Sequence, residues 1–522
     1  MSDSFSVIIW WLTIFVVGSI FLPITTSIFR KFIDRGYIFT KVVGILISSY
    51  LMWLLGSLHL LPFTKLTLIV ILLGLSLLSM YLMSKKNKDD AKSVPWRWYI
   101  FEEILFFTAL SFWSYVRAAE PSIRSLEKFM DFGFVNSILR TTYFPPLDMW
   151  LTKSPDYAGG FAINYYYFGH YIAAFLTKLS GLDSAITYNL MIATLFAFTF
   201  TLPFSIGANL LHLLNKEDSE RPDPRMNLKI IIVGLLAAFL VSLGGNLHTL
   251  YVFTSGYPND NPQPFWQLEP GIHPERYWYP NATRFIPFTI HEFPIYSFVV
   301  ADLHGHVSDI PLVMLVIALL LNIITNRKKQ EQPDRQNSST MQNIFYEFEN
   351  HTSFSLPTLI FLGVLLASMY MTNAWDGMIY MVLAGLVFFY VNLQRVILTN
   401  KEQINPGPAK DSGQIKMTMF DALYKTFSAS LFLLFFFLLG NLPFSLNFKP
   451  FVSGVGVLCA PKSLLGKSLG PILFEVGKCQ KSPPYQLAVL WGFFYFNVMG
   501  YLLLVIIPNI KNAWLNKVDF KA

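Results

Sequence analysis

Charged residues are scarce in this sequence, and cysteine is rarer still. Only 14% of the 522 residues are Asp, Glu, Lys or Arg, whereas 53% are hydrophobic. Soluble domains carry roughly 25% charged residues, so an ordinary soluble protein is excluded. The only two cysteines, Cys459 and Cys479, leave room for one disulfide at most. The sequence is equally compatible with that disulfide and with two unpaired thiols.

Several motifs of well-known enzymes are absent. The chain contains no Walker-type phosphate loop and no His-Glu-x-x-His. The absence of the phosphate loop argues against ATP bound at such a loop.

Long apolar runs recur along the chain and predict an all-α polytopic membrane protein. Short loops rich in Lys and Arg alternate with the other loops, and the positive-inside rule places them in the cytoplasm. The net charge of +7 is therefore attributed to basic loops that orient the protein in the membrane and contact anionic lipid headgroups. No nucleic-acid partner is expected. About eleven segments have the length that a bilayer requires: 7–29, 38–60, 66–84, 98–117, 184–212, 230–253, 307–325, 355–371, 377–398, 421–443 and 486–509.

One further apolar segment, 163–180, is predicted to lie at the outer membrane interface. If it crossed the bilayer, every later basic loop would move outside, against the positive-inside rule. The resulting organisation has accessory helices at 1–97, a core at 98–400 with outer loops 118–183 and 254–306, and C-terminal helices at 401–522 with outer loop 444–485.

Glu127 and Asp131 follow the fourth predicted span. Positions i and i+4 share one face of a helix, so both carboxylates could point at one spot. A pair of like charges raises the pKa of one member and suits it to act as a base. The alternative is a solvated loop helix with Lys128 as counterion.

The sharpest motif is Asp302-Leu303-His304-Gly305-His306. Alternating Asp302, His304 and His306 offer carboxylate and imidazole ligands on one side of an extended segment, a pattern typical of a divalent metal site. Three interpretations remain open: a metal site, a hydrogen-bonded network that caps the next helix, and a metal-free catalytic or phosphate-binding role.

Other polar residues on the predicted outer side are candidates for substrate binding. Arginine beside aromatic residues can hold a phosphate, and Trp375 can stack on a sugar ring or anchor at the interface. Asp376 alone would more simply cap the following helix. The candidates are Tyr165, Tyr166, Tyr167, His170, Arg276, Arg284, His291, Glu292, Asn373, Trp375 and Asp376.

At these motifs the chain resembles a family of uncharacterised prokaryotic membrane proteins that is named for a Tyr-Tyr-Tyr run. The matching pieces lie between about 120 and 380 and are Glu127–Phe132, Asn164–His170, His291–Pro294 with Ser297 and Phe298, Asp302–His306 and Thr372–Asp376.

More distantly, the layout resembles the GT-C superfamily of polyprenyl-phosphate-sugar glycosyltransferases. The resemblance aligns Glu127 with the acidic residue that starts the first outer loop of those enzymes, and 163–180 with their juxtamembrane helix. The chain departs from that pattern in three respects. Its leading acid is Glu instead of Asp, three extra spans precede the loop, and the Asp-x-His-x-His motif is not general in the superfamily.

The resemblance implies a multi-pass glycosyltransferase of the cytoplasmic membrane. Its donor would be a sugar on a polyprenyl phosphate, its acceptor an envelope component, and its site would face the non-cytoplasmic side. Two other hypotheses remain: a transporter or flippase for a lipid-linked substrate, and a non-catalytic scaffold for envelope assembly.

Overall fold

The computed structural model is built almost entirely from helices. It describes residues 3–84, 94–151, 159–218, 225–259, 261–287, 289–325, 340–404, 418–450, 455–470, 472–477, 479 and 481–519. The first eight helices are α1 (Asp3–Ile20), α2 (Leu22–Ile28), α3 (Phe39–Ser57), α4 (Lys65–Ser84), α5 (Trp96–Ala119), α6 (Lys128–Arg140), α7 (Phe168–Ser180) and α8 (Ser184–Asp218). The others are α9 (Met226–Ser242), α10 (Pro294–Val300), α11 (Gly305–Thr325), α12 (Thr340–Thr352), α13 (Leu356–Thr372), α14 (Ala374–Ile404), α15 (Met419–Ser445) and α16 (Pro484–Asp519).

The chain divides into two compact units. The first comprises Met1–Ser242 and Ala301–Pro450, and the second comprises Leu243–Val300 and Phe451–Ala522. This division follows contacts, whereas the three regions predicted from the sequence follow membrane topology and stay a prediction.

In the first unit, long apolar helices pack side by side. Helix α8 lies against α5 and α9, α13 lies against α15 and α14, and α11 contacts α8 and α13. The candidate site is built on the ends of α6, α7, α11 and α14, which the first unit holds together.

The second unit contains short 3-10 helices at Leu247–Phe253, Phe265–Gln267, Pro274–Arg276 and Tyr279–Thr283, together with α10 and α16. A three-stranded sheet has the order β1 (Val455–Val457), β3 (Ile472–Phe474), β2 (Ser468–Leu469). Strand β3 pairs parallel with β1 and antiparallel with β2. Cys459 and Cys479 form a disulfide here, which decides the alternative that the sequence left open.

The prediction of a mostly helical membrane protein with several candidate spans is confirmed, but the count of about eleven spans is not. Among the described residues, 8 helices are long and apolar enough to cross a membrane, or up to 10 if each of two bent helix pairs is one span. The segments predicted at 230–253 and 355–371 qualify only as parts of such pairs. The span predicted at 7–29 is broken at Phe21, because Pro23 lacks the N–H that a continuous helix would use.

Helix α5 does not meet the composition for a span although one was predicted at 98–117. It carries charged residues whose partners are protein groups: Glu103 pairs with Lys41 and also accepts hydrogen bonds from Trp11 at 2.7 Å and Tyr37 at 2.6 Å. Its polar side is therefore satisfied by neighbouring helices instead of by lipid or water.

The segment predicted at the membrane interface forms α7, which has 13 residues. At about 1.5 Å per residue it is roughly 20 Å long, too short to cross a bilayer core. Gly181, in a left-handed conformation with φ of 75°, ends it. The interfacial position predicted for this segment does not hold for Tyr167 and Tyr171, which are 3% and 0% exposed and therefore lie inside the protein.

Candidate active site

A strained loop presents Glu127 at the start of α6. Glu127 is the residue that precedes the helix, and Ser125 and Leu126 before it adopt φ angles of 70° and 50°. A non-glycine residue pays roughly 1–2 kcal/mol for a left-handed conformation, and such strain is typical of functional positions. The loop leaves the Glu127 side chain 54% exposed.

His304 is the hydrogen-bonding partner of Glu127. The His304 Nε2 atom lies 2.8 Å from Glu127 Oε2, and the Tyr165 hydroxyl lies 3.2 Å from the same nitrogen. Tyr165 in turn donates to the Tyr166 hydroxyl at 3.0 Å. Residues from three separate stretches of the chain therefore meet around one imidazole.

The environment of His304 determines its protonation and its tautomer. Burial lowers the pKa of the imidazole, and His306 lowers it further, whereas Glu127 and Asp131 partly offset the effect. The ring is thus neutral near pH 7 and has a single N–H. Because the carboxylate has no proton to give, Nε2 donates to Glu127. The Nδ1 atom, 2.9 Å from His306 Nδ1, then accepts from His306.

The pair of Tyr165 and Tyr166 forms an aromatic surface beside this network. Their ring centroids are 4.0 Å apart. Burial is the main cause that raises the pKa of each phenol, so both stay protonated at neutral pH. Tyr167 is different, because its hydroxyl accepts from buried Trp53 at 3.2 Å and its ring belongs to the core.

Asp131 is not presented in the same way as Glu127, although the two lie one helical turn apart. Its side chain is 0% exposed and one oxygen is 2.9 Å from His170 Nε2, itself 1% exposed. Both acids act electrostatically on Tyr165 and His304, so the expected juxtaposition occurs. Only Glu127 is accessible, however, and Asp131 serves the buried interface of α6 and α7.

The predicted metal ligands Asp302, His304 and His306 do not converge. In the part of the chain that the structure describes, no group of three or more His, Cys, Asp or Glu side chains is arranged to hold a metal ion. The Nδ1 atoms of His304 and His306 lie 2.9 Å apart and form a hydrogen bond. A divalent metal stays a prediction, which metal analysis of wild type and Asp302→Ala would test.

Asp309 is a residue that the sequence analysis did not select. It lies in the second turn of α11 with 0% exposure. It interacts with Asp376 electrostatically and through a side-chain hydrogen bond, and Asp376 accepts a further hydrogen bond from the Asn373 amide at 2.7 Å. Asp309 stood in an apolar run, and only packing reveals its neighbour.

Asp376 does not occupy the capping position expected for it. Helix α14 begins at Ala374, so Asp376 is the third helical residue and lies in the first turn. A negative charge is favourable there because of the helix dipole. Trp375 is 60% exposed, which leaves its ring available to a ligand or to lipid.

The remaining candidates belong to the second unit. Arg284 Nη2 lies 3.7 Å from Glu292, and Arg276 Nε lies 3.9 Å from Glu275. His291 Nε2 accepts the Phe285 N–H at 3.1 Å. Each arginine thus has a carboxylate nearby, and a phosphate-binding role for either stays a prediction.

The helices and this ionisable cluster define a multi-span membrane protein with a polar site at helix ends. The chain belongs to the family described as uncharacterized membrane protein DUF2298, which matches residues 47–519. Membership of an uncharacterised membrane protein family, as the tyrosine motif led us to expect, is confirmed. No curated protein and no solved structure matches the chain, so the GT-C resemblance has no support from these comparisons.

Proposed function

We propose that the protein is an integral membrane glycosyltransferase in which Glu127 is the catalytic base. The observation that carries the proposal is the contact of 2.8 Å between Glu127 Oε2 and His304 Nε2. It holds an accessible carboxylate in one orientation, with a neutral imidazole as donor. An acid that serves only as a surface charge needs neither the strained loop nor the partly buried imidazole partner.

The proposed reaction uses one proton acceptor. Glu127 removes the proton from an acceptor hydroxyl, whose oxygen forms a bond to the anomeric carbon of the donor. The bond from that carbon to the phosphate oxygen breaks, and the polyprenyl phosphate leaves with the electron pair. His304 positions the carboxylate, because its Nε2–H holds one oxygen while the other faces the acceptor.

Aromatic groups support a sugar as the transferred unit. The Tyr165 hydroxyl contacts His304, and the Tyr165 and Tyr166 rings pack against each other there. Aromatic rings pack well against sugar rings. The polyprenyl-phosphate donor, the envelope acceptor and the non-cytoplasmic orientation rest on the sequence resemblance and on the positive-inside rule. A phosphate-binding role for Arg276 and Arg284 stays an expectation from the sequence.

A transporter for a lipid-linked substrate is the second candidate, and buried Asp309 favours it. Ionisable residues inside spanning helices are costly and commonly mark ion or proton pathways. Asp309 lies in a candidate span, fully buried, and near Asp376. In a transporter, Asp309→Asn would abolish translocation, whereas a non-catalytic scaffold would tolerate alanine at every residue of the cluster.

The experiment is a transfer assay on purified protein with a panel of polyprenyl-phosphate sugars. Glu127→Gln should lower transfer by about 10²–10⁴-fold while membrane insertion stays normal. Glu347→Gln, at an exposed position of α12, is the matched control and should keep full activity. Full activity of Glu127→Gln would eliminate Glu127 as base, and no transfer from any donor would favour the transporter and scaffold hypotheses.

A further inference from the structure

A cavity of about 740 Å³ lies away from the Glu127–His304 pair, where the start of α1, the end of α5 and the start of α8 meet. Its lining is mainly apolar and includes Val7, Ile123 and Leu190. The proposed transferase chemistry makes no use of this cavity. Its polar residues nevertheless have an unusual arrangement.

Arg117 is a buried cation at the wall of the cavity. It is 5% exposed, and its Nε and Nη2 donate to a single acceptor, the amide oxygen of Asn189, at 3.0 and 2.8 Å. Among the described residues no carboxylate lies within ion-pairing distance of its guanidinium. A buried charge held only by a neutral amide is costly, because several kcal/mol of desolvation per ion are not offset by an opposite charge.

Two hydroxyl groups at this cavity also lack a partner among the described residues. Ser6 and Ser114 line the cavity, and the Oγ atom of each is buried without a hydrogen-bond partner in the part of the chain that the structure describes. Ser114 lies three residues before Arg117, on the same face of α5. Among the described residues, two hydroxyl groups without a hydrogen-bond partner and one buried cation without an ion pair therefore surround one space.

No carboxylate at this cavity forms an ion pair with Arg117 among the described residues. Asp3 and Glu120 line it, together with Arg124. Glu120 acts electrostatically on Arg117, but both acids are exposed, and water and salt screen exposed charges strongly. The buried guanidinium is screened far less, so an anion inside the cavity would interact with it strongly.

We infer that this cavity binds the phosphate headgroup of a membrane lipid. The phosphate oxygens would accept hydrogen bonds from Arg117, Ser6 and Ser114, as guanidinium and hydroxyl donors commonly bind phosphate. An acyl chain would continue along the exposed apolar face of α1, which carries Phe5, Ile8 and Leu12 at 49%, 41% and 43% exposure. The inference is independent of the proposed transferase activity.

The test measures lipid binding to the purified full-length protein by native mass spectrometry. Wild type is titrated with phosphatidylglycerol, with phosphatidylcholine and with inorganic phosphate. We expect phosphatidylglycerol to bind about tenfold more tightly than phosphatidylcholine, because the net negative headgroup matches the uncompensated cation. Inorganic phosphate should compete only at much higher concentration, since it has no acyl chain.

Three variants separate the contribution of the Arg117 charge from that of the cavity itself. Arg117→Gln should remove the preference for phosphatidylglycerol, whereas Arg97→Gln, at an exposed position of the same helix, should keep it. Ala118→Trp blocks the cavity without changing a charge, and it should weaken binding even if Arg117→Gln does not fold. Equal binding by wild type and Ala118→Trp would overturn the inference, and so would tight binding of inorganic phosphate alone.

Discussion

Asp131 and His170 form a buried pair at the interface of α6 and α7, with Oδ1 and Nε2 2.9 Å apart and exposures of 0% and 1%. Replacement of His170 by Ala removes the hydrogen-bond partner of this buried carboxyl group. We expect this variant to lose about 3 kcal/mol of unfolding free energy, measured by denaturation in micelles.

The double variant His170→Phe with Asp131→Leu is the control for this pair. Two apolar side chains leave no polar group unsatisfied, so part of the lost stability should return despite their larger volume. If the double variant is as unstable as the single one, packing accounts for the loss and the hydrogen bond does not.

Protonation of His304 should make stability depend on pH. An unfolded histidine titrates near pH 6.5, and burial lowers the pKa in the folded protein. Between the two pKa values the unfolded state binds more protons, so this contribution to stability is complete above about pH 6.5 and falls as pH decreases. Melting temperatures from pH 5 to 7.5 measure it. His304→Gln should flatten the profile relative to wild type, whereas His351→Gln, at an exposed position of α12, should not.

Gly305 allows the site to pack closely. A Cβ atom there would lie 2.5 Å from the Thr372 carbonyl oxygen and 2.7 Å from the Tyr166 ring. Since the carbonyl cannot move away without shifting α13, Gly305→Ala should cost about 1–3 kcal/mol. Gly74→Ala on α4 is the control, because nothing lies within 4 Å of its Cβ. The control should be stabilised by about 1 kcal/mol or less. Equal melting temperatures for Gly305→Ala and Gly74→Ala would contradict the expectation.

The Cys459–Cys479 disulfide closes a segment of the second unit. Thiol-specific alkylation of the denatured protein should label no cysteine before reduction and both cysteines after it. Cys459→Ser with Cys479→Ser should lower the stability of this segment by about 3 kcal/mol, since a closed loop of this size restricts the unfolded chain. Labelling without reduction would show that the bond does not form in the membrane-bound protein.

The sequence predicted several helices closely, because long apolar runs determine spans through composition alone. The segments 38–60 and 66–84 correspond to Phe39–Ser57 and Lys65–Ser84. The prediction of spans and interfacial segments failed where a helix is surrounded by other parts of the protein instead of by lipid. In α5, Glu103 is compatible with a membrane protein because Lys41 pairs with it. In α7, an apolar helix lies inside the protein and not at its surface.

The residue types of the site were also recognisable beforehand, since Glu127, His304 and the tyrosine run are polar or aromatic groups beside apolar segments. Their roles were not. Helical spacing treats Glu127 and Asp131 alike, and only the packing of α6 on α7 buries one of them and leaves the other accessible. The contacts of Arg117 and Asp309 likewise come from residues distant in the chain.

The sequence by itself therefore determined that this is a helical membrane protein and which family it belongs to, because hydropathy and local motifs are properties of neighbouring residues. The tertiary structure decided that Glu127 is exposed, that the His304 imidazole is neutral and that the buried Arg117 has no ion pair among the described residues. Those properties depend on burial and on charges brought together by folding, and local sequence contains neither.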